Sequence, residues 1–275
     1  MFIPMAVAIA EARVGKRGER YYSGRVPQLL ERGFIAFKSS TWMIVLSGFV
    51  EPVLYLLSFG YGIGKLLPTI TVGNESIKYA VFIAPALLAT SAMNGAIYDS
   101  TMNVFFKLNH DRIYYGMLAT SMGPLDVALG EIGWALLRGF SYACAFMAVV
   151  APLGLIPSLW GLLAIPAAVL IAFGFASCGM AVTSYMKSFQ QLEIITVFLL
   201  PMFLFSGSFY PLTVFPEWLQ FTVNLLPLTH AINLVRGLCL GHINMGLLGH
   251  ALYFVIMIIC GLFFTTKRLN ALFMK

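Results

Sequence analysis

The stretch FSGSFYPLTVFPEWLQFTVNLLPLTHAINLVRGLCLG, residues 205–241, keeps a membrane-like composition but interrupts its helices repeatedly. The breaks fall at Ser206-Gly207-Ser208, Pro211, Pro216 and Pro227. Unpaired backbone N–H and C=O groups are costly in lipid, so irregular backbone at membrane depth must be buried in protein or line a path. Broken helices of this kind are typical of transporters. The pattern predicts a re-entrant segment at about 207–241 and makes transport the first function to consider.

The rest of the chain has the composition of an integral membrane protein. It is 60% hydrophobic and 10% charged, with a mean hydropathy of +0.87, whereas soluble domains are about a quarter charged. Spans of roughly 20 apolar residues are predicted at about Trp42–Gly64, Tyr79–Phe105, Val127–Val150, Leu159–Thr183, Leu192–Phe205 and Leu247–Thr266. We therefore expect an all-α membrane protein with a cytosolic N-terminal segment, 1–41, and a six-span transmembrane domain, 42–275. The re-entrant helices lie between the fifth and sixth spans.

The basic residues set the orientation. With both termini in the cytoplasm, thirteen of the 17 Lys and Arg residues fall on the inside and three on the outside, while Arg138 lies in a span. This follows the positive-inside rule. The net charge of +6 then reflects topology and anionic lipid headgroups, and no nucleic-acid partner is predicted.

Two segments outside the spans have amphipathic patterns. Val26, Leu29, Leu30, Phe34 and Phe37 share one face of a helix before the first span, which is typical of an element in the membrane interface. The alternative is a cytosolic helix packed on a partner.

The inside loop at about 107–126 contains the second pattern. A short helix there would present Ile113, Tyr114, Met117 and Leu118 as an apolar ridge, with Asp111 at its favoured N-terminal end. Such a ridge requires a protein groove, unless the segment is a plain interfacial loop.

Ionisable residues inside spans are costly and usually face protein or water. We hypothesise that Glu51 and Arg138 share a polar cluster in the inner half of the bilayer, with Glu131 two turns below Arg138. A structural role is favoured over direct cargo contact. Asp99 and Glu193 are expected at the solvated inner interface.

The chain offers few signs of catalysis. No His or Cys residues stand at metal-ligand spacing and no hydrolase motif occurs, so neither a metal nor a catalytic residue is predicted. Gly60–Lys65 fails the phosphate-binding Walker pattern because Phe59 and Leu66 replace its first Gly and its Ser/Thr. Energy from ATP must therefore come from another polypeptide.

Several phrases, in order, resemble the ABC-2-type exporter permeases, in particular their NodJ-like branch. They are EPVLYLLSFG (51–60), ATSAM (89–93), LGE (129–131), FASCGM (175–180), FSGSFYP (205–211), LPLTHAINLVR (226–236) and LGH (240–242). The resemblance covers about residues 28–268. It implies a half-transporter in the bacterial cytoplasmic membrane that pairs with a second copy, as a homodimer, and binds two ABC ATPase subunits. ATP and magnesium would be bound by those partners, and no cofactor by this chain.

The resemblance also implies roles for particular residues. The coupling helix that meets the ATPase falls on about 111–120, with contacts expected from Asp111, Arg112, Ile113, Tyr114, Met117 and Leu118. Gly116 departs from the larger or acidic residue common in related loops. The re-entrant segment and cargo path would include Phe209, Tyr210, Pro211, Trp218, Pro227 and His230. The family's cargo is amphiphilic: a lipid-linked glycan, a lipo-oligosaccharide or a hydrophobic drug.

The sequence is thus interpreted as a permease of an ATP-driven exporter that is not itself an enzyme. One alternative is an ion-coupled secondary transporter that uses Glu51, Glu131 and Arg138 as a relay. Another is an intramembrane enzyme acting on lipid headgroups through His230, although no second catalytic group stands near it in sequence.

Overall fold

The computed structural model describes residues 22–38, 50, 52–72, 75–111, 113–118 and 122–273. Its main helices are α1 (Val26–Lys38), α2 (Tyr79–Tyr98), α3 (Ile113–Leu118), α4 (Pro124–Val150), α5 (Ala164–Thr183), α6 (Gln190–Phe205), α7 (Glu217–Asn224), α8 (Pro227–Leu240) and α9 (Met245–Phe273). Residues 52–57 are also helical. They continue as a π-helix, Ser58–Ile63, and a last turn, Gly64–Leu66.

Several helices are long and apolar enough to cross a membrane. Within the described residues these are Tyr79–His110, Pro124–Val150, Leu159–Thr183 and Met245–Leu272. A fifth is obtained if α7 and α8, which are bent by 85°, count as one broken span. The apolar helix α6 is shorter, and most of the first predicted span lies outside the described residues. The chain is therefore a mostly helical, multi-pass membrane protein.

Helix α2 is the centre of the bundle. In an apolar stretch of the span Tyr79–His110, which α2 begins, 78% of residues are buried, against 17% in Met245–Leu272. Alanines recur along α2, and Ala84, Ala89 and Ala96 are fully or almost fully buried. Small side chains let neighbouring backbones approach closely in a membrane, so this sequence favours a central position, with α9 at the periphery.

The second span is longer than predicted. Beyond Tyr98 the helix continues through two π-helical segments, Asp99–Asn103 and Phe106–His110, whereas hydropathy predicted an end near Phe105. At about 1.5 Å per residue, the extension carries the helix roughly 16 Å beyond Asp99. Asp99 is consequently inside the bundle and 4% exposed, which corrects its expected position at the solvated interface.

A β-hairpin precedes α2, although hydropathy predicted an all-α protein. β1 (Thr69–Val72) pairs antiparallel with β2 (Glu75–Lys78), with Thr69 opposite Lys78 and Val72 opposite Glu75. The β-branched run Thr-Ile-Thr-Val explains the strand. A four-residue strand is too short to be distinguished from a loop by hydropathy.

The bend between α7 and α8 follows from local sequence. Leu226 has an extended backbone, and Pro227 occupies the first turn of α8, where its missing N–H costs nothing. Helix α8 ends at Leu240 and is capped by Gly241, whose φ of 80° is left-handed and suits glycine. The His242 N–H donates to the Gly237 carbonyl at 2.8 Å and closes the helix end.

Candidate functional site

Asp126 organises the base of the bundle. It lies in the first turn of α4, after Gly123-Pro124, where a carboxylate is favoured by the helix dipole. Its Oδ2 accepts hydrogen bonds from the Ser23 backbone N–H (2.7 Å), the Ser23 hydroxyl (2.8 Å) and the Gly123 N–H (2.9 Å), and its Oδ1 accepts one from the Arg25 N–H (3.1 Å). Asp126 is fully buried. One carboxylate thus fastens the start of α1 to the start of α4.

Helix α1 packs on α4 through glycines. A Cβ on Gly130 would lie 2.6 Å from Leu29 Cδ1, and one on Gly33 would lie 2.7 Å from the Trp134 ring. Both gaps are too small for a side chain, so glycine at each position permits this close approach. Leu29 is buried, whereas Ile35 is 70% exposed. The apolar face predicted for α1 therefore meets its own bundle through Leu29, and the side chains of Phe34 and Phe37 lie outside the described residues.

The ridge predicted on the inside loop forms, as helix α3, but it faces inward. Tyr114 is fully buried and Met117 is 9% exposed, while Tyr115 is 56% exposed. Arg32 Nη1 lies 4.0 Å from Met117 Sδ, so α1 covers part of the ridge. Burial, reinforced by the Glu131 carboxylate, raises the pKa of Tyr114 well above its ordinary value.

The groove that the ridge was expected to find on a partner is supplied by this chain. Ile113 and Leu118 are partly buried with Tyr114 and Met117. The outward positions include Asp111, Tyr115 and Gly116. Arg112 lies outside the described residues.

Two ion pairs join α2 and its extension to α4. Lys107 Nζ lies 2.5 Å from Glu131 Oε2, and Arg138 Nη1 lies 2.8 Å from Asp99 Oδ1. The pairs have opposite polarity along the two helices, so a sliding of one helix past the other would bring like charges together. Asn103 also donates to Asp99 Oδ1, at 2.6 Å.

This pairing differs from the hypothesised cluster. Within the described residues, Arg138 finds its carboxylate in Asp99 and Glu131 pairs with a lysine. Glu51 lies outside the described residues, and its pairing with Arg138 stays a prediction. The signal that could have identified Asp99 is its i,i+4 spacing to Asn103, which places two polar groups on one face of an apolar helix.

A cavity of about 740 Å³ opens beside the Asp99–Arg138 pair. Residues of the first predicted span, α2, α4 and α6 line it. One part of the wall is polar, with Thr90, Ser91, Asn94, Asn103, Arg138 and Tyr142. Another part is apolar or aromatic, with Pro52, Tyr55, Leu87, Leu199, Leu200 and Phe203. The cavity therefore presents both kinds of surface to one occupant.

The predicted cargo-path residues lie elsewhere, and none of the six lines this cavity. The Phe209 ring makes an edge contact with the cavity residue Phe203, at 5.0 Å between centroids. Tyr210 donates to the Leu204 carbonyl at 3.3 Å, and Trp218 is 71% exposed. Pro211 precedes the short 3₁₀ turn Leu212–Val214.

His230 on α8 contacts α9. Its Nδ1 lies 2.7 Å from Nδ1 of His250, and its ring stacks on Tyr253 at 4.2 Å. Further along α8, buried Arg236 donates to the Gly207 carbonyl at 2.9 Å and lies 3.9 Å from the centre of the Phe82 ring. These contacts fix the bent segment to the bundle. No sequence motif indicated His250 or the contacts of Arg236.

Comparison with known proteins places this architecture in one family. The family model for ABC-2 type transporters matches residues 25–240, which includes α1, Asp126 and all the residues that line the cavity. Nodulation protein J of Rhizobium leguminosarum bv. trifolii is 30% identical over 240 residues, covering 87% of this chain and 90% of that protein. Nodulation protein J of Sinorhizobium fredii is 32% identical over 206 residues, which cover 74% of this chain and 77% of that protein.

A further relative is named for transport. The inner membrane transport permease YadH of Escherichia coli K12 is 25% identical over 188 residues, covering 67% of this chain and 70% of that protein. The family match implies association with ABC ATPase subunits. Since the family model covers most of the chain, this protein belongs to the ABC-2 type transporter family of membrane permeases.

Proposed function

We propose that this chain is the transmembrane subunit of an ATP-driven exporter that moves an amphiphilic cargo out of the cytoplasm or the inner leaflet. Two ABC ATPase subunits, carrying ATP and magnesium, would dock on its cytosolic face, and a second copy of the chain would complete the transporter. The protein would lie in a bacterial cytoplasmic membrane with six spans and both termini inside.

The observation that carries the proposal is that α1, α3 and two spans are joined at the end of the bundle where α4 begins. Asp126 binds the start of α1 to the start of α4, and α3 buries Tyr114 and Met117 in the same region. The Lys107–Glu131 ion pair joins the extension of α2 to α4. These contacts join the interfacial helix, the short loop helix and two spans. Because α3 is closely packed, a displacement of its exposed face would move α2 and α4 with it.

The cavity supports the cargo class. Its apolar wall suits an acyl or aromatic tail, and its polar wall suits a hydrogen-bonding head, so one amphiphile can satisfy both. ATP-driven closure of the motor subunits would press α3 and shift the helices around the cavity as rigid bodies. The bent α7–α8 pair, placed as re-entrant helices at the outer end, would form the exit.

The decisive experiment is reconstitution. Proteoliposomes would contain this chain with an ABC ATPase that co-purifies with it, the same pair with the Walker lysine of the ATPase replaced by alanine, or this chain alone. Export of a fluorescent short-chain glycolipid is expected only with the intact pair and ATP. Equal export by the lysine variant would overturn the proposal.

A proton gradient applied without ATP separates the rivals in the same vesicles. Transport by the isolated chain under that gradient would favour the ion-coupled alternative, and chemical alteration of the lipid would favour the enzyme. Glu131 and Arg138 each lie in a closed ion pair, an arrangement that favours a fixed structure over a proton relay.

A further inference from the structure

The cavity has one ionic side chain among the described residues that line it, and that is Arg138. The Asp99 carboxylate lies 2.8 Å from its guanidinium and is itself 3% exposed in its side chain. The positive charge beside the cavity is therefore neutralised from within the protein. The other described polar groups of the wall are uncharged amides and hydroxyls.

The ion pair is enclosed by protein. Arg138 Nε and Asp99 Oδ2 are buried and have no hydrogen-bond partner among the described residues. Both atoms are closed to solvent and therefore to an occupant of the cavity. Asp99 thus acts on the cavity through its charge, which offsets that of Arg138 at 2.8 Å.

Asn94 adds a second polar feature. Its side chain is exposed to the cavity although α2 is the most buried of the candidate spans. An amide offers two donors and an acceptor at no net charge. An exposed asparagine in an otherwise apolar window is costly unless it serves a polar occupant.

We propose that this cavity is a binding site for amphiphiles with an uncharged, hydroxyl- or amide-bearing head, and that it disfavours a phosphate head. The inference rests on the proposed function as a carrier of amphiphilic cargo and adds the charge class of that cargo. A phosphate would need an uncompensated cation at low dielectric. Arg138 is already paired, and Asp99 beside it repels an anion.

The ion pair makes this preference switchable. Asp99→Asn keeps the size of the side chain but leaves Arg138 without its counter-charge, so the altered cavity should accept a phosphate. Asp99→Asn combined with Arg138→Gln removes both charges and should return the preference to the uncharged head. Asn94→Leu should weaken binding of the uncharged head without improving that of phosphate.

The test is direct binding to the full chain in lipid nanodiscs, with no ATP and with empty nanodiscs subtracted. The probes are radiolabelled decyl maltoside and decyl phosphate, which have the same tail. Wild type should bind the maltoside about tenfold more tightly, and Asp99→Asn should narrow or reverse that ratio by about tenfold. The double variant should restore it.

Equal or tighter binding of decyl phosphate by wild type would overturn the proposal. An unchanged ratio in Asp99→Asn, with the double variant folded, would do the same. Because neither measurement uses ATP or a motor subunit, selective binding without ATP-driven export would leave this inference standing and remove the proposed function. ATP-driven export by a chain that binds both probes equally well would overturn this inference and leave the proposed function standing.

Discussion

Asp126 holds Ser23 by two hydrogen bonds, at 2.7 Å from the backbone nitrogen and 2.8 Å from the hydroxyl, across 103 residues of sequence. The same carboxylate oxygen also caps the start of α4 through Gly123. A single side chain thus performs a local task and a long-range one. This explains how an interfacial helix outside the spans is fixed relative to the membrane bundle.

Replacing Asp126 with alanine should release α1 from α4. The change leaves three backbone N–H groups and one hydroxyl without their acceptor, which should cost about 2–4 kcal/mol because charge-assisted bonds are worth about 1.5–3 kcal/mol each and do not add fully. Thermal unfolding in detergent measures the loss. Ser23→Ala is the matched control and should cost about 1 kcal/mol, since it keeps the backbone bond. Equal stability of wild type and Asp126→Ala would refute the assignment.

Gly130 and Leu29 should be energetically coupled. Gly130→Ala forces a Cβ to within 2.6 Å of Leu29 Cδ1, so it should lower stability and speed proteolysis of the segment before the first span. The Leu29 Cβ also lies 2.7 Å from the added Cβ, so only Leu29→Gly removes the clash. The double variant should be no less stable than Leu29→Gly alone, a coupling of about 1 kcal/mol.

Gly249→Ala is the control for that series. No atom lies within 4 Å of the added Cβ, and alanine is a better helix former, so this variant should be neutral or slightly stabilising. Additive effects of Gly130→Ala and Leu29→Gly would show that the two residues do not interact.

Hydropathy predicted several spans well because each depends on its own residues. Leu159–Thr183 was predicted with the bounds that the structure gives, and Pro124–Val150 begins three residues before its prediction. In both segments a long uncharged or nearly uncharged run decides the outcome locally. The α7–α8 bend also follows from a local signal, the extended residue before Pro227.

Relationships between segments were harder to predict. The pattern of α3 indicated that one face requires apolar neighbours, but it could not tell a groove on a partner from one formed by α1 and α4. Asp99 was misplaced because Lys107, Asn109 and His110 resemble a loop, whereas π-helical turns and the Glu131 pair extend the helix through them. Both points concern long-range packing, on which a local apolar pattern carries no information.

Exchanging the charges of Lys107 and Glu131 should distinguish the effect of their ion pair from other effects of each substitution. Lys107→Glu and Glu131→Lys each create a like-charge contact across 2.5 Å and should reduce cargo-stimulated ATP hydrolysis by the assembled transporter. The double variant restores an ion pair and should recover most of that activity. The pair is partly exposed, so its stability effect should be modest, about 1 kcal/mol. Failure of the double variant to recover would count against an interaction that requires both charges.

Tyr115 and Met117 lie two residues apart on α3 but on opposite faces, and a glutamate should act differently at each. Met117→Glu buries a carboxylate on the packed face of α3. The Arg32 guanidinium, 4.0 Å from Met117 Sδ, would offset part of the cost, so the variant should lower stability by about 1–3 kcal/mol. Tyr115→Glu places the same charge on the exposed face and should leave the melting temperature of the chain nearly unchanged. Because that face is the proposed docking surface, Tyr115→Glu should reduce co-purification of the ATPase, with Tyr115→Phe as the uncharged control. Normal ATPase retention by Tyr115→Glu would move the docking surface away from α3.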